Sequence, residues 1–343
     1  MVTAETEFFL FGIGNRTKII YKQGALYDAL NGTIIKSWEK YKSEIFPDRY
    51  AVLLHCPHGI VEITEDCRGV AVSENGRKDY ITEDEINLPD FSDKKHFALL
   101  QILHHEILFN ILGGKPLPNM FVYSKPWYRD AAMVCMCLEK TGNLSLVKKW
   151  IESLREPYDK NNAGHCEPDN LGQALYMISL VSDRSHPLVQ TVLEEVEKVR
   201  KNDYITGLTD FGEHPVYQTK WLKYGLARLK MEDNWKIPVI SDSYSQLFWM
   251  DYKNEHIDCE RFSKESIELY PYLGWAQAHF YDTGFGEDTP LSKSPLTWEC
   301  QASQANYEGI KKLSTIYADA KYCSPHTWHH GTARKRFYIY MRI

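Results

Sequence analysis

The residues best placed to do chemistry lie in Lys125-Pro126-Trp127-Tyr128-Arg129-Asp130-Ala131-Ala132-Met133. An aromatic pair, a guanidinium and a carboxylate fall on the first turn of a helix that Pro126 can open, because its missing N–H is not needed there. Asp130 faces the positive end of the helix dipole. The following Val134-Cys135-Met136-Cys137-Leu138 is apolar on every side, which requires a helix enclosed by others. A buried helix with a polar mouth is either a ligand site or a salt-bridged end that seals the helix.

Other polar mouths follow. Glu167-Pro168-Asp169-Asn170-Leu171-Gly172-Gln173 offers two carboxylates and two amides. One such residue would suffice as an N-cap, so a role in binding hydroxyls or orienting water is expected for Glu167, Asp169, Asn170 and Gln173. Asp210-Phe211-Gly212-Glu213-His214-Pro215-Val216-Tyr217 supplies Asp210 and Glu213 as further candidate catalytic carboxyls. His214 could tune a neighbour's pKa there. Asp242, Tyr244 and Trp249, then Tyr272 and Trp275, could wall a sugar, although core packing explains such aromatics equally well. Near the C-terminus, Cys323, His326 and His329 have a spacing that could ligate zinc. No Cys-x-x-Cys pair supports that use, and no metal or organic cofactor is expected. His326, Trp328 and His329 fit better as sugar contacts or as the base of an epimerase. His104 and His105, on an apolar helix, read as packing residues.

These residues must be positioned by a substantial fold. The chain has 343 residues, 43% hydrophobic and 25% charged, with a net charge of −6 and no basic block. That composition suits a globular protein and argues against nucleic acid as a partner. The 22 Tyr, 14 Phe and 9 Trp, often beside Asp, Glu or His, suit sugar rings with apolar faces and hydroxyl edges. No apolar run is long enough to span a membrane. Phe8-Phe9-Leu10-Phe11 is too short for a secretory signal and follows Glu5 and Glu7. The eight cysteines show no disulfide spacing, so a cytoplasmic location with reduced thiols is expected.

Residues 1–95 read as a β-rich section. Alternating or apolar runs at Tyr50–Leu54, Gly59–Ile63 and Gly69–Val72 precede the turn signal Asn75-Gly76. From residue 96 the period becomes helical, with an apolar face from Leu99 to Leu112 that Gly113-Gly114 should end. After Ser185, Val189, Val192, Val196 and Val199 form the stripe of an outer helix. Pro126, Pro168, Pro215, Pro271, Pro295 and Pro325 each mark a helix start with polar or aromatic flanks. Apolar inner helices alternating with amphipathic ones lead to a mainly α expectation: an (α/α)6-type toroid of helical hairpins over 96–343, carrying the catalytic site, behind the β-rich section.

Trp127-Tyr128-Arg129-Asp130-Ala131-Ala132, with Leu138 and Thr141-Gly142 behind it, resembles the W-x-R-D segment of glucoamylase-type enzymes in the six-hairpin (α/α toroid) glycosidase superfamily. The resemblance implies that Arg129 and Asp130 grip the sugar at the cleavage point. Trp298-Glu299 resembles the Trp-Glu of that family's general acid. The function expected is therefore a glycoside hydrolase acting on a small oligosaccharide or glycoconjugate. Two carboxyls among Glu167, Asp169, Asp210, Glu213 and Glu299 would serve as acid and base, and spacing alone assigns neither role. The alternatives are a sugar epimerase or lyase using His326 or His329, and a non-catalytic carbohydrate-binding protein.

Overall fold

The computed structural model describes residues 8–94, 97–118, 120, 123–160, 164–210, 212–240, 242 and 244, together with the strands Thr297–Glu299 and Lys321–Cys323. These residues divide into two compact units. The first comprises Met1–Lys125, Cys137–Leu146 and Leu291–Ile343; the second comprises Pro126–Met136 and Val147–Pro290.

The first unit opens with two antiparallel meanders. Strands β1 (Phe8–Phe11), β2 (Ile19–Lys22), β3 (Ala25–Asp28) and β4 (Ile34–Ser37) form a four-stranded sheet in chain order. Strands β5 (Lys42–Phe46), β6 (Ala51–Cys56), β7 (Gly59–Glu65), β8 (Gly69–Glu74) and β9 (Arg77–Glu83) form a five-stranded one. Alternation in these runs puts every second side chain on one face. Phe9, Phe11, Ile19, Tyr21 and Leu26 of the first sheet thus share an apolar core with Val52, Leu54, Val61, Ile63, Val70 and Val72 of the second.

Helix α1 (Phe97–Phe109) ends earlier than the apolar period suggests. Ile111–Leu112 leaves the helix and pairs with Lys115–Pro116. Gly113 and Gly114 both adopt positive φ, 56° and 75°, which closes a two-residue hairpin turn that residues with a Cβ resist. On α1, His104 and His105 are buried. His105 Nε2 lies 3.3 Å from the buried Glu65 carboxylate, which also accepts the N–H groups of Gly12 and Ile13 and pairs with Arg16 at 2.9 Å.

Helix α2 (Tyr128–Thr141) begins in the second unit, and its residues from Cys137 onward belong to the first. The second unit continues with α3 (Lys148–Glu152), α4 (Asp169–Ser179), α5 (Pro187–Lys198) and α6 (Pro215–Arg228). Helix α5 is the amphipathic one: Val189, Val192 and Val196 are buried, with Glu194, Glu197 and Lys198 exposed. Helix α4 is buried from Asp169 to Ile178 and packs closely on α6. Two glycines permit the approach. A Cβ on Gly172 would land in the backbone of Trp221 and Leu222, and one on Gly225 would stand 2.7 Å from the Gly172 carbonyl oxygen.

The expectation of a mainly α toroid is therefore wrong. Six α-helices occur among the described residues, which are 33% helical and 26% strand, with several antiparallel sheets. Of the prolines expected at helix starts, Pro168 is the N-cap of α4 and Pro215 opens α6, whereas α2 begins at Tyr128, two residues beyond Pro126. The segments between helices do not all continue as helical hairpins. Arg200–Lys201 pairs with Tyr204–Ile205, and Leu208–Thr209 with Gly212–Glu213. Asn202 and Asp210 take left-handed φ values of 59° and 52° in these turns. Residues with short polar side chains tolerate that conformation, and it reverses the chain into a strand pair. Pro271, Pro295 and Pro325 lie outside the described residues.

Candidate functional site

The polar ends of α2, α4 and α6, with the 208–213 hairpin, converge on one guanidinium in the second unit. Arg129, on the first turn of α2, is largely buried, with 11% of its side chain exposed. Its Nη2 donates to Glu167 Oε2 and to Asp210 Oδ1, each at 3.1 Å. Nη1 stands 3.0 Å from Asp210 Oδ2 and 3.7 Å from Asp169 Oδ2, ionic contacts without hydrogen-bond alignment. Burial opposes its charge, yet the charges of Asp169, Asp210 and Glu167 raise the guanidinium pKa well above its ordinary value. One fixed positive charge is thus shared by three carboxylates, and the cluster carries an excess of negative charge.

The floor is a hydrogen-bonded network. Asp169, fully buried, accepts from Gln173 Nε2 at 2.9 Å and from the Thr209 hydroxyl at 2.9 Å. Gln218 Nε2 donates to Thr209 Oγ1 at 2.8 Å and to the Gly207 carbonyl at 2.8 Å. Asn170 Nδ2 donates to Gln173 Oε1, and Asn170 Oδ1 accepts the Asp159 N–H. Asn170 and Gln173, expected to touch a ligand, hydrogen-bond within this floor, Gln173 to the Asp169 carboxylate and Asn170 to Gln173 and the Asp159 N–H. A buried polar network this well satisfied fixes geometry.

Asp210 is the most open of the three carboxylates, 31% exposed against 3% for Glu167 and 0% for Asp169. It sits at a hairpin tip with φ 52°, and its own N–H donates to Glu167 Oε1 at 2.9 Å. Backbone held in this region by a non-glycine residue costs on the order of 1 kcal/mol, and such strain clusters at working sites. The Tyr244 hydroxyl donates to Asp210 Oδ2 at 2.8 Å. The His214 ring stacks on Tyr244 with centroids 3.7 Å apart and planes 8° from parallel. His214 Nδ1 lies 2.9 Å from Asp242 Oδ1, and Asp242 also accepts the N–H groups of Tyr217 and Tyr244. Tyr217 is fully buried, edge-on to Tyr244.

Asp159 had no signal in the sequence, because it reaches the site from a loop. Its Oδ2 accepts the N–H of Tyr128, thirty-one residues away, and so caps α2. Burial lifts its carboxyl to about 6, with the charges of Asp169 and Glu167 adding, against the Tyr128 N–H and Arg129.

Arg129 and Asp130, expected to grip a sugar together, have different surroundings. Arg129 is occupied by Glu167, Asp169 and Asp210, while Asp130 is half-buried in the first turn of α2. Trp127 is half-buried just before the helix. Tyr128 is buried and its hydroxyl donates to the Glu156 carbonyl at 2.7 Å. Glu213 is exposed and accepts from the Thr206 hydroxyl, outside the arginine cluster. Glu299 belongs to strand Thr297–Glu299, paired with Lys321–Cys323 in the first unit. Trp249, Tyr272, Trp275, His326, Trp328 and His329 lie outside the described residues. Among the described residues no group of three or more His, Cys, Asp or Glu is placed to hold a metal ion, and no helix is long and apolar enough to cross a membrane.

No protein-family model, curated protein or solved structure matches the chain. The resemblance to six-hairpin glycosidases is overturned by this and by the mixed α/β architecture. The resemblance rests on short segments, Trp127–Ala132 with Leu138 and Thr141-Gly142, and Trp298-Glu299, which do not fix a fold.

Proposed function

We propose that the arginine–carboxylate cluster of the second unit is the active site of a hydrolase acting on glycosidic bonds in a small oligosaccharide or glycoconjugate. The observation that carries this reading is the sharing of Arg129 by Glu167, Asp169 and Asp210. Cleavage of a glycoside passes through a cationic, oxocarbenium-like state, and a preorganised excess of negative charge stabilises such a state more than its neutral substrate. A hydroxyl-rich ligand also finds there the acceptors it needs.

The roles divide by environment. A carboxylate that spends its oxygens on a guanidinium serves as a charge or an acceptor and not as a proton donor. Glu167 and Asp210 meet on the same Arg129 nitrogen, so the bonded oxygens are no more than about 6 Å apart. That is shorter than the roughly 6.5–9.5 Å of an inverting acid–base pair and admits the roughly 5–5.5 Å of a retaining one. Both carboxylates are held on the guanidinium, so the proton donor is sought elsewhere, and Asp159, lifted to about 6, is the carboxyl suited to it. Asp210, open to solvent, holds a sugar hydroxyl or the attacking water. Cys56, Cys67, Cys135, Cys137 and Cys166 are free thiols, which supports a cytoplasmic location.

A panel of 4-nitrophenyl glycosides and small oligosaccharides tests the reading, with products followed by mass and chromatography. Cleavage is expected, and Asp159→Asn and Asp210→Asn should each slow it by about 100-fold or more. Sugar binding without turnover, indifferent to both substitutions, would identify a non-catalytic binding protein. Isomerisation without a change in mass would identify an epimerase. Absence of both binding and turnover overturns the reading.

A further inference from the structure

The imidazole of His214 is held more firmly than a surface histidine needs to be, and the division of roles above leaves it unused. As a carboxylate, the completely buried Asp242 only accepts, and the hydrogen at the 2.9 Å contact then belongs to His214 Nδ1. In the neutral ring that leaves the lone pair on Nε2. Asp242 is itself locked by the N–H groups of Tyr217 and Tyr244, each at 2.9 Å. Tyr244 fixes the ring plane by stacking and then reaches Asp210 Oδ2 with its hydroxyl. The open carboxylate and the imidazole therefore flank one tyrosine. Among the described residues Nε2 has no hydrogen-bond partner, and it is not a buried orphan. Gly212 keeps the space beside it open, since a Cβ there would stand 3.6 Å from Nε2.

We propose that His214 Nε2 takes the proton from the attacking water, with Asp242 as its positioning residue; this rests on the glycoside-cleaving reading. In the step, a water O–H bond breaks and its proton goes to Nε2. The water oxygen bonds to the anomeric carbon as the bond from that carbon to the leaving oxygen breaks. The leaving oxygen keeps that electron pair and takes the Asp159 proton. The imidazolium then returns a proton through solvent to the Asp159 carboxylate. Atoms and charge balance, and nothing beyond water and the glycoside is consumed. A carboxylate that orients an imidazole through Nδ1 so that Nε2 can act as base is a recurrent device.

Nitrogen-15 NMR of the full chain labelled at histidine tests the arrangement without substrate, the His214 signal being the one lost in His214→Gln. The expected result is a neutral imidazole protonated at Nδ1, changed in Asp242→Asn, with Nε2 open to diethyl pyrocarbonate. A proton resident on Nε2, or an Nε2 that does not react, overturns the proposal. With any 4-nitrophenyl glycoside the chain cleaves, His214→Ala should lower kcat by about 100-fold or more with little change in KM, and added imidazole should restore part of the loss. If His214→Ala turns over at the wild-type rate, the proposal fails while glycoside cleavage stands. If no glycoside is cleaved by the wild-type chain, both fall together.

Discussion

The backbone N–H of Asp210 donates to Glu167 Oε1 at 2.9 Å, so the strained tip of a hairpin is anchored by the residue before the N-cap of α4. Both side chains then turn to the same nitrogen of Arg129. The guanidinium thus joins three chain segments that are distant in sequence, and its removal is the most direct perturbation of the site.

Arg129→Met should leave Glu167, Asp169 and Asp210 facing one another without a counter-charge. Breaking a buried ion pair by deleting one partner costs about 3–5 kcal/mol. Urea unfolding near neutral pH should show a loss of that size. The loss should shrink towards pH 4–5, where the stranded carboxyls can protonate. Equal stability of the two proteins at neutral pH would mean that the cluster is solvated and weak.

Asp159→Asn separates function from stability. The folded-state carboxyl titrates near 6 and the ordinary one at 3.8, so between these values the unfolded chain has released a proton that the folded chain keeps. Stability therefore falls as pH rises through that window, by at most about 1.4 kcal/mol per pH unit. The amide removes this penalty and can still accept the Tyr128 N–H. The variant should melt higher than wild type at pH 7, match it near pH 4, and turn over more slowly. A lower Tm at pH 7 would show that the charged carboxylate is needed as the cap of α2.

His104 sets an acid limit on the first unit. Burial, with the charge of His105 adding, lowers it to about 3 from its ordinary 6.5. Below pH 6.5 the unfolded chain binds a proton that the folded chain refuses, so stability falls as pH drops towards 3, by at most about 1.4 kcal/mol per unit. His104→Gln should flatten the slope of unfolding free energy between pH 6 and 4. His105, also lowered by burial, keeps part of that slope. An unchanged slope would relieve His104 of the role.

Gly172→Ala tests the crossing of α4 over α6. Its Cβ would meet the Trp221 and Leu222 backbone, which cannot rotate away, whereas Gly76→Ala meets nothing within 4 Å but must keep φ at 79°. The first should cost more than the roughly 1–3 kcal/mol of ordinary overpacking. The second should cost only about 1 kcal/mol of backbone strain. Comparable denaturation midpoints for the two would mean that the helices can separate.

What could be read along the chain is what neighbouring residues decide. Alternation with β-branched residues set strands β6 to β8, and Asn75-Gly76 set the turn between β8 and β9. Pro215 opened α6, and a valine stripe turned α5 outward. The same local signals misled where a turn outweighed a period. Ile111 and Leu112 continue the apolar face of α1, yet two left-handed glycines draw them into a hairpin, and Asn202 and Asp210 likewise put strands where a helical ring was expected.

The site divides in the same way. Arg129, Glu167, Asp169 and Asp210 announced themselves as charges in stretches otherwise bound for a core, because an apolar helix with a polar first turn must find partners for it. Which partner each one finds depends on contacts across thirty to eighty residues, which no spacing encodes. Tertiary packing alone brought Asp159 to the end of α2, spent Asn170 and Gln173 on the floor, and left Glu213 outside the cluster. Residue type determined that charge would be buried here. Only the packing of α4 against α6, and the hairpin beside them, decided which carboxylates share the arginine and which one stays open to solvent.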